Sequence, residues 1–298
     1  MARFWLLLLA TLTLTGVSLS PQYATGAQAD VDDFSYASWH VDYVLDVDAE
    51  GRGIARVTET LVAQFPDFDQ NRGIVRALPL KYERADAAPE NIGVTDETGA
   101  PVPFEVEEDD TFRVILVGDE SFVRGEQTYV ISYTLRDVIL PTADRDEFYW
   151  DVAPIERQQP IAEFSGRFEF APALAESLTG ASVCFYGPAY SETRCDITRT
   201  APDEPGAAGA QADAAVFSIA PFSLPAGSGV TVGVALHTDS VTQPPVRLPN
   251  PLLDMGPIVL AGLAIAAGLT AAVMVWIERR RRRQHRGVVV AQYEVSEH

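Results

Sequence analysis

Residues 39–47, WHVDYVLDV, alternate apolar with other side chains, and residues 54–65, IARVTETLVAQF, repeat the alternation after the turn DAEGRG. A period of two is typical of a strand with one buried face, and two such runs joined by a glycine-containing turn predict a β-hairpin. The segment DVDAEG at residues 46–51 also resembles the opening of a calcium-binding loop. Such a loop needs a glutamate at its twelfth position, where this chain has Val57, so we interpret the segment as a turn.

Alternating runs continue along the chain and are bounded by Gly, Pro, Asp or Asn, whereas helical periodicity is almost absent. These runs begin at Val102, Thr111, Thr128, Ile161, Ala181, Thr193, Ala215 and Gly229. Short strands at this spacing predict an all-β fold. We expect two consecutive β-sandwich-like domains, residues 30–140 and 161–241, joined by an interdomain linker at residues 141–160.

A long apolar segment near the C-terminus predicts one transmembrane helix, residues 252–277, because about 20 uncharged residues span a bilayer as a helix. Proline-rich residues 242–251 are expected to form a stalk before it. Residues 278–298 are expected to be a basic cytoplasmic tail, since arginines beside a membrane helix stay on the cytoplasmic side. The orienting residues are Arg279, Arg280, Arg281, Arg282 and Arg283.

The N-terminus has the order of a secretory signal: Arg3, an apolar stretch, and a small-residue site at residues 27–29. We predict a signal peptide at residues 1–29, and an uncleaved anchor is the alternative. The predicted layout is a single-pass protein of the cell membrane, with its N-terminal region outside the cytoplasm and its C-terminal tail inside.

The region between the two apolar segments is strongly acidic. Residues 22–253 contain 38 Asp and Glu but only 15 Arg and Lys. A surface of this charge repels nucleic acid and anionic lipid head groups, so we expect no nucleic-acid partner. It is compatible with cations, with basic partners, or simply with solubility.

Two cysteines, Cys184 and Cys195, lie 11 positions apart in the region predicted to be outside the cytoplasm. In an oxidising compartment an even pair at this spacing predicts one disulfide. A redox or metal-binding pair is the alternative, but the chain has no CxxC motif and no histidine near either residue.

Recognised catalytic and metal-binding patterns are absent from the sequence. There is no HExxH, no GxSxG and no phosphate-binding glycine loop, so we predict neither an enzyme nor a cofactor or metal. A glycosidase needs two carboxylates across a cleft, and no local pattern selects such a pair among the many acids. The acidic run at residues 107–110 is a weak candidate for calcium and is better explained as an exposed turn.

Two local strings are distinctive. The segment NRGIVRALPLKY at residues 71–82 contains Arg72 and Arg76, which either pair internally with carboxylates or form a docking surface for a partner. The aromatic group Phe148, Tyr149 and Trp150 is typical of interdomain packing, with a ligand platform as the alternative.

These strings occur in an order that resembles a known family. VTET is followed by RGIVRALP, which includes Arg72, Gly73, Ile74, Arg76 and Pro79, and then by TYVISYTLRDVI, DEFYWDV and LPAGSGVTVGVAL. Together with VVVAQYE at residues 288–294, they resemble the bacterial predicted membrane proteins described as domain of unknown function 2207. The resemblance implies an exported two-part β ectodomain and a membrane helix, and it implies no assigned activity.

The leading functional hypothesis is therefore a cell-envelope protein whose β region binds or scaffolds an unknown envelope protein or glycan. One alternative is an envelope glycan hydrolase that uses paired carboxylates. Another is a subunit of a multi-helix membrane complex, in which small residues of the membrane helix allow close packing. The small residues are Ala261, Ala264, Ala267 and Ala271.

Overall fold

The computed structural model describes residues 31–82, 85–200, 208–243 and 256–284. The described residues up to 243 belong to one compact unit, which we call the β region, and residues 256–284 belong to a second unit. The predicted signal peptide lies outside the described residues, as do nearly all of the predicted stalk and residues 285–298 of the predicted tail.

The described residues of the β region form strands and one short helix. The strands are β1 Ser35–Val47, β2 Gly53–Phe65, β3 Asn71–Pro79, β4 Lys81–Tyr82, β5 Ala85–Asp86, β6 Glu90–Thr95, β7 Phe104–Glu108, β8 Phe112–Val123, β9 Gly125–Arg136, β10 Ile139–Pro141, β11 Asp146–Ala153, β12 Ile161–Phe170, β13 Leu178–Gly187, β14 Ile197–Thr200, β15 Ala215–Leu224 and β16 Gly229–Leu236. The helix is α1, Pro172–Ala175.

The largest sheet has seven strands in the order β14-β15-β12-β1-β2-β9-β6. The predicted hairpin is confirmed, because β1 pairs antiparallel with β2 and Val47 lies opposite Gly53. In the turn, the Asp48 carboxylate accepts the backbone N–H groups of Glu50 and Arg52 at 3.0 and 2.8 Å. A side chain that accepts nearby backbone N–H groups in this way is typical of a tight turn.

Smaller sheets cover one face of the large sheet. They are the four-stranded sheet β10-β11-β16-β13 and the three-stranded sheet β3-β8-β7. The pair β4-β5 contacts the four-stranded sheet, where the Tyr82 and Trp150 rings lie 4.4 Å apart. The Tyr43 ring of β1 lies 6.0 Å from that of Phe148 in the four-stranded sheet. Trp39 lies on the same face of β1, and the Arg76 guanidinium of the three-stranded sheet is 5.3 Å from its ring. The second layer of the sandwich is therefore divided between two sheets.

The alternation in β1 explains its place in the core. Trp39, Val41, Tyr43 and Leu45 are buried, whereas the intervening side chains face the opposite side of the sheet. Burying a large apolar side chain contributes about 1.5–3 kcal/mol. A shift of register by one residue would expose all four, so the hydrophobic pattern fixes which face of β1 packs inward.

The all-β class is confirmed, but the large sheet combines strands from both ranges predicted as separate sandwiches. β1 pairs in parallel with β12, which lies about 125 residues further along the chain. The range 141–160, predicted as a linker, contains strand β11 of the four-stranded sheet. Local alternation marks where strands occur but carries no information about distant partners, so the sharing of one sheet was not predicted.

The predicted disulfide between Cys184 and Cys195 is confirmed, with a Cα–Cα distance of 5.0 Å. It links β13 to the segment that precedes β14. The Cys195 backbone N–H also donates to the Cys184 carbonyl oxygen at 3.0 Å, so the bridge closes a hydrogen-bonded loop.

Helix α2, Gly256–Gln284, contains residues 256–277 of the predicted membrane segment, whereas residues 252–255 lie outside the described residues. By length and composition, Val259–Arg281 could span a bilayer, and it is the one such helix among the described residues. The helix continues beyond the predicted end at residue 277 and includes the arginine cluster of residues 279–283. Arginine is a good helix former, so the cluster does not end the helix.

Candidate binding groove

A groove of about 1050 Å³ lies beside the three-stranded sheet. Its walls come from the start of the β region, from β3, β7 and β8, and from residues 154–159 between β11 and β12. Clefts of this size that are mainly apolar and carry a few polar groups are typical of binding sites. This groove is therefore the candidate site of the β region.

Strand β3 has the sequence NRGIVRALP and forms one edge of its sheet, where it pairs with β8. Gly73 and Gly118 lie opposite each other with φ values of 140° and 125°. A Cβ atom would lie 1.7 Å from the Val117 carbonyl oxygen at Gly73 and 1.9 Å from the Arg72 carbonyl oxygen at Gly118. This close approach of two backbones explains why both positions are glycine.

Arg76 points from β3 into the interior, where it forms a two-pronged ion pair with Glu59 of β2. Its Nε and Nη2 atoms each donate to a Glu59 carboxylate oxygen at 2.9 Å, and its Nη1 donates to the Ala77 carbonyl oxygen. The Tyr133 hydroxyl donates to the same carboxylate. Arg76 is 5% exposed and Glu59 is 0% exposed, so this interior cluster is closed to solvent.

Burial and charge act against each other in the interior cluster. Burial alone would lower the pKa of Arg76, but Glu59 outweighs it, and the net direction is a pKa above the usual range. Burial, followed by the charge of Glu59, raises the pKa of Tyr133 well above its ordinary value. Arg76 therefore stays charged and Tyr133 stays protonated in the folded protein.

Arg72 lies four residues before Arg76 and has a different environment. Its Nη1 is 3.3 Å from a Glu120 carboxylate oxygen, and the two side chains are 53% and 96% exposed. Its guanidinium also lies 4.9 Å from the centre of the Phe122 ring. Arg72, Glu120 and Phe122 thus form a solvent-facing part of the groove wall.

Arg157 also lines the groove and is almost fully buried. Its Nη2 donates to the carbonyl oxygens of Pro225 and Ser228 at 3.1 and 2.9 Å. Its Nε and Nη1 have no hydrogen-bond partner among the described residues. Burial lowers the pKa of Arg157 to about 10, which still leaves the guanidinium charged at neutral pH.

Side-chain amides hold the first described residues beside the groove. Asn71 donates to the Val31 carbonyl oxygen at 2.6 Å, and Gln70 donates to the Asp33 carbonyl oxygen at 3.2 Å. Gln159 donates to the Asp32 carbonyl oxygen at 3.1 Å. These bonds join β3 and the segment before β12 to the start of the β region, and so they help to shape the groove.

The rim of the groove is acidic. Its lining includes five carboxylates, from Asp32, Glu105, Asp119, Glu120 and Glu156. Three arginines also line the groove, but the charge of Arg76 is neutralised by Glu59. Only Arg72 and Arg157 are then left to offset the negative charge of the five carboxylates. The groove therefore favours positively charged groups near its rim.

The predicted site residues fall into separate places. Arg72, Gly73, Ile74 and Arg76 line the groove, and Pro79 ends β3. Phe148 and Trp150 of β11 are buried in the core, whereas Tyr149 is 41% exposed. These three aromatic residues are not part of the groove lining, nor are Cys184 and Cys195.

Sequence reasoning missed several residues of the groove and of the interior cluster. Glu59 had a detectable signal, since it occupies an inward position in the alternation of β2, where a charged residue needs a partner. Arg157 and Gln159 had none, because they follow β11 in an irregular segment. Val75 had none either. It is 64% exposed, but an apolar residue within a strand does not indicate whether its side chain is buried or exposed.

Sites for other chemistry are weak in the described part of the chain. No group of three or more His, Cys, Asp or Glu side chains there could hold a metal ion. Burial raises the pKa of the Asp137 carboxyl, but Asp137 is paired with Arg52 at 3.5 Å and does not line the groove. His40 Nδ1 lies 2.9 Å from Ser165 Oγ, and neither residue lines the groove.

Several solved structures are similar to this chain. An M1 zinc metallopeptidase from Deinococcus radiodurans is 12% identical, with 67% of this chain and 42% of that chain covered and a TM-score of 0.33. A putative protease from Parabacteroides distasonis is 9% identical, with 67% and 40% covered and a TM-score of 0.37. Leukotriene A4 hydrolase from Saccharomyces cerevisiae is 12% identical, with 72% and 31% covered and a TM-score of 0.35.

This chain spans less than half the length of those proteins, and similarity this low carries no argument about activity. No curated protein matches the sequence. A family model described as "Predicted membrane protein (DUF2207) N-terminal domain" matches residues 40–244. That range includes β3 and most of the β region, and it confirms the family expected from the sequence strings. The chain belongs to the DUF2207 family of predicted membrane proteins.

Proposed function

We propose that this chain is a single-pass cell-envelope protein whose β region lies outside the cytoplasm and binds another envelope component in the groove. The observation that supports this most is the position of the string RGIVRALP. Its residues Arg72 to Ala77 line the groove consecutively. The family-like string therefore builds one wall of the groove.

Two features support an external location for the β region. The arginines that follow the apolar segment favour the cytoplasmic side of the membrane for the C-terminal end of α2. The disulfide between Cys184 and Cys195 favours an oxidising compartment for the β region. The arginines and the disulfide belong to different units of the chain, so each supports the external location independently.

The groove favours binding over catalysis. The buried acid Glu59 is held by an ion pair and by Tyr133, so it is not available to act on a substrate. The acidic rim disfavours nucleic acid and anionic lipid, which leaves a polypeptide or a neutral or basic glycan as the partner class. Hydrolysis of an envelope glycan by the purified full chain would contradict this role.

Site-directed photo-crosslinking tests the proposal in intact membranes. Benzoylphenylalanine in place of Val75, in the groove wall, should capture a discrete partner. The matched control is the same substitution at Tyr149, which is also a part-exposed strand residue but does not line the groove. Capture at both positions, or at neither, would contradict groove binding.

Protease protection tests the orientation. Protease added to intact spheroplasts should digest the β region and leave a C-terminal tag protected. Digestion of the tag with protection of the β region would reverse the proposed topology.

A further inference from the structure

Strand β3 presents an open edge beside the groove. In the three-stranded sheet β3-β8-β7, β8 is the one strand that pairs with β3 among the described residues. An edge strand carries a row of unpaired backbone N–H and C=O groups, which can accept a strand from another chain. Consecutive residues of β3 line the groove, and their side chains alternate between the two faces of the sheet. The groove therefore follows the strand itself.

The register shows which backbone groups are unpaired. An antiparallel ladder alternates residue pairs that exchange hydrogen bonds with pairs that do not. The Leu80 N–H donates to the Thr111 carbonyl oxygen, so Leu80 belongs to a pair that exchanges hydrogen bonds. Two and four residues earlier, the backbone groups of Leu78 and Arg76 therefore also face β8. The N–H groups of Val75 and Ala77 therefore point away from β8, toward the open edge. The Val75 carbonyl points the same way.

The middle of this edge lacks the usual protection. Natural edge strands are shielded by lysine, proline or bulges. Pro79 closes one end of β3, and the irregular register between Asn71 and Gly73 marks the other. Between them, Val75 is 64% exposed and apolar. The unprotected stretch, Gly73 to Ala77, could pair with an extended segment of about five residues.

The charges select the occupant. The rim carboxylates favour lysine or arginine in the added strand. A second copy of this chain would bring a net negative β region, since residues 22–253 contain 38 acids and 15 bases. Repulsion between two such regions disfavours pairing of β3 with itself.

We propose, building on groove binding as the function, that the groove takes an extended basic and apolar polypeptide segment of another protein. This segment adds to β3 as a new strand and pairs with backbone groups that face the open edge, namely the N–H and carbonyl of Val75 and the N–H of Ala77, since the Ala77 carbonyl already accepts from Arg76 Nη1. Backbone hydrogen bonds then give affinity, and the groove walls read the alternate side chains.

The test uses the full chain in detergent micelles and fluorescent peptides of about seven residues, long enough to cover the edge. One peptide alternates lysine with valine, a second alternates glutamate with valine, and a third is the lysine peptide with N-methylated backbone amides on alternate residues. The lysine peptide should bind. The glutamate peptide should bind at least about tenfold more weakly, because it loses the favourable charge. The methylated lysine peptide should also bind at least about tenfold more weakly, because its methyl groups prevent hydrogen bonds to β3.

A pair of proline variants locates the site. Val75→Pro removes an N–H that points away from β8, and it should abolish peptide binding while the circular dichroism spectrum is kept. The matched control is Val106→Pro at the outer edge of β7, because Val106 does not line the groove, unlike Phe104 and Glu105 of the same strand. The Gly118 N–H donates to the Pro103 carbonyl oxygen, so the alternation places the Val106 N–H on the outer side as well. Val106→Pro should bind the peptide normally.

Equal binding of the methylated and unmethylated lysine peptides to the unmodified protein would overturn strand addition, and this result does not depend on any variant folding. Dimers of the full chain that dissociate in Val75→Pro would assign the edge to self-association and would also overturn the proposal. If crosslinking at Val75 captures a partner but methylation has no effect, groove binding stands and strand addition fails.

Discussion

Arg72 and Arg76 lie four residues apart on β3, but Arg76 lies in the interior and Arg72 lies on the surface. Arg76 is buried and held at 2.9 Å by both oxygens of Glu59. Arg72 is exposed, and its contact with Glu120 is 3.3 Å long. Their spacing places them on the same face of an ideal strand, but the irregular register between Asn71 and Gly73 intervenes.

One string can therefore stabilise the fold and also form a surface. The interior cluster joins β3 to the large sheet through Glu59 of β2 and Tyr133 of β9. The exposed end of β3 is not needed for that connection. Substitutions in the two places should therefore separate stability from binding.

The largest expected effect is at the interior arginine. Arg76→Met leaves the Glu59 carboxylate buried without its counter-charge, which should lower the free energy of unfolding by about 3–5 kcal/mol. Urea denaturation of the full chain in micelles, followed by near-ultraviolet circular dichroism, measures the change. The double variant Glu59→Leu/Arg76→Met should recover much of the loss, because no lone buried charge remains. A loss below about 1 kcal/mol in the single variant would contradict the closed cluster.

A smaller loss is expected at the tyrosine of the same cluster. Tyr133→Phe keeps the ring but removes the hydroxyl that donates to Glu59. Hydrogen bonds to charged groups contribute about 1.5–3 kcal/mol, so the free energy of unfolding should fall by that amount. Tyr129→Phe is the control, because the Tyr129 hydroxyl has no hydrogen-bond partner among the described residues. An equal loss in both variants would show that the bond to Glu59 contributes nothing.

The stability of the protein should depend on pH through His40, which lies on the outer face of the large sheet. Burial is the main cause that lowers the pKa of His40, and Arg167 adds to it while Asp42 opposes it. The unfolded chain then binds a proton below about pH 6.5 that the folded chain does not, so the stability falls as the pH drops through that range. Urea midpoints compared at about pH 7.5 and pH 5.5 should differ less in His40→Gln than in the unmodified protein. An unchanged difference would contradict the assignment to His40.

The smallest change in stability is expected at the exposed arginine. Arg72→Ala should alter the free energy of unfolding by less than about 0.5 kcal/mol, as is usual for a surface side chain. The same urea experiment measures it. A loss comparable with that of Arg76→Met would remove the distinction between the two arginines.

Much of the fold could be predicted from the sequence, because the alternation that indicates a strand lies within the strand's own residues. The starts predicted for β12 and β15, at Ile161 and Ala215, agree with the structure, and the β1–β2 hairpin follows from its alternation and turn. The alternation of Phe148, Tyr149 and Trp150 could also have identified β11. The proline-rich surroundings favoured a linker instead.

The site was predicted only in part, since its geometry depends on distant contacts. The string with Arg72 and Arg76 was identified, and internal pairing with carboxylates was one of its two interpretations, but no pattern in the sequence named the partners. The actual partner of Arg76, Glu59, lies 17 residues away, and Arg157 reaches the groove from a different strand connection. No period or motif encodes that β3 forms an edge, because an edge is defined by the absence of a neighbouring strand.

Strand β3 has one side paired with β8 and one side open along the groove. Amide hydrogen exchange of the full chain in micelles, resolved to single residues by mass spectrometry with electron-transfer fragmentation, tests this arrangement directly. We expect slow exchange at Arg76, whose N–H faces β8, and fast exchange at Val75 and Ala77, which should slow when the lysine peptide is added. Equal protection of Val75, Arg76 and Ala77 in the absence of peptide would show that the edge is covered and would exclude an open β3.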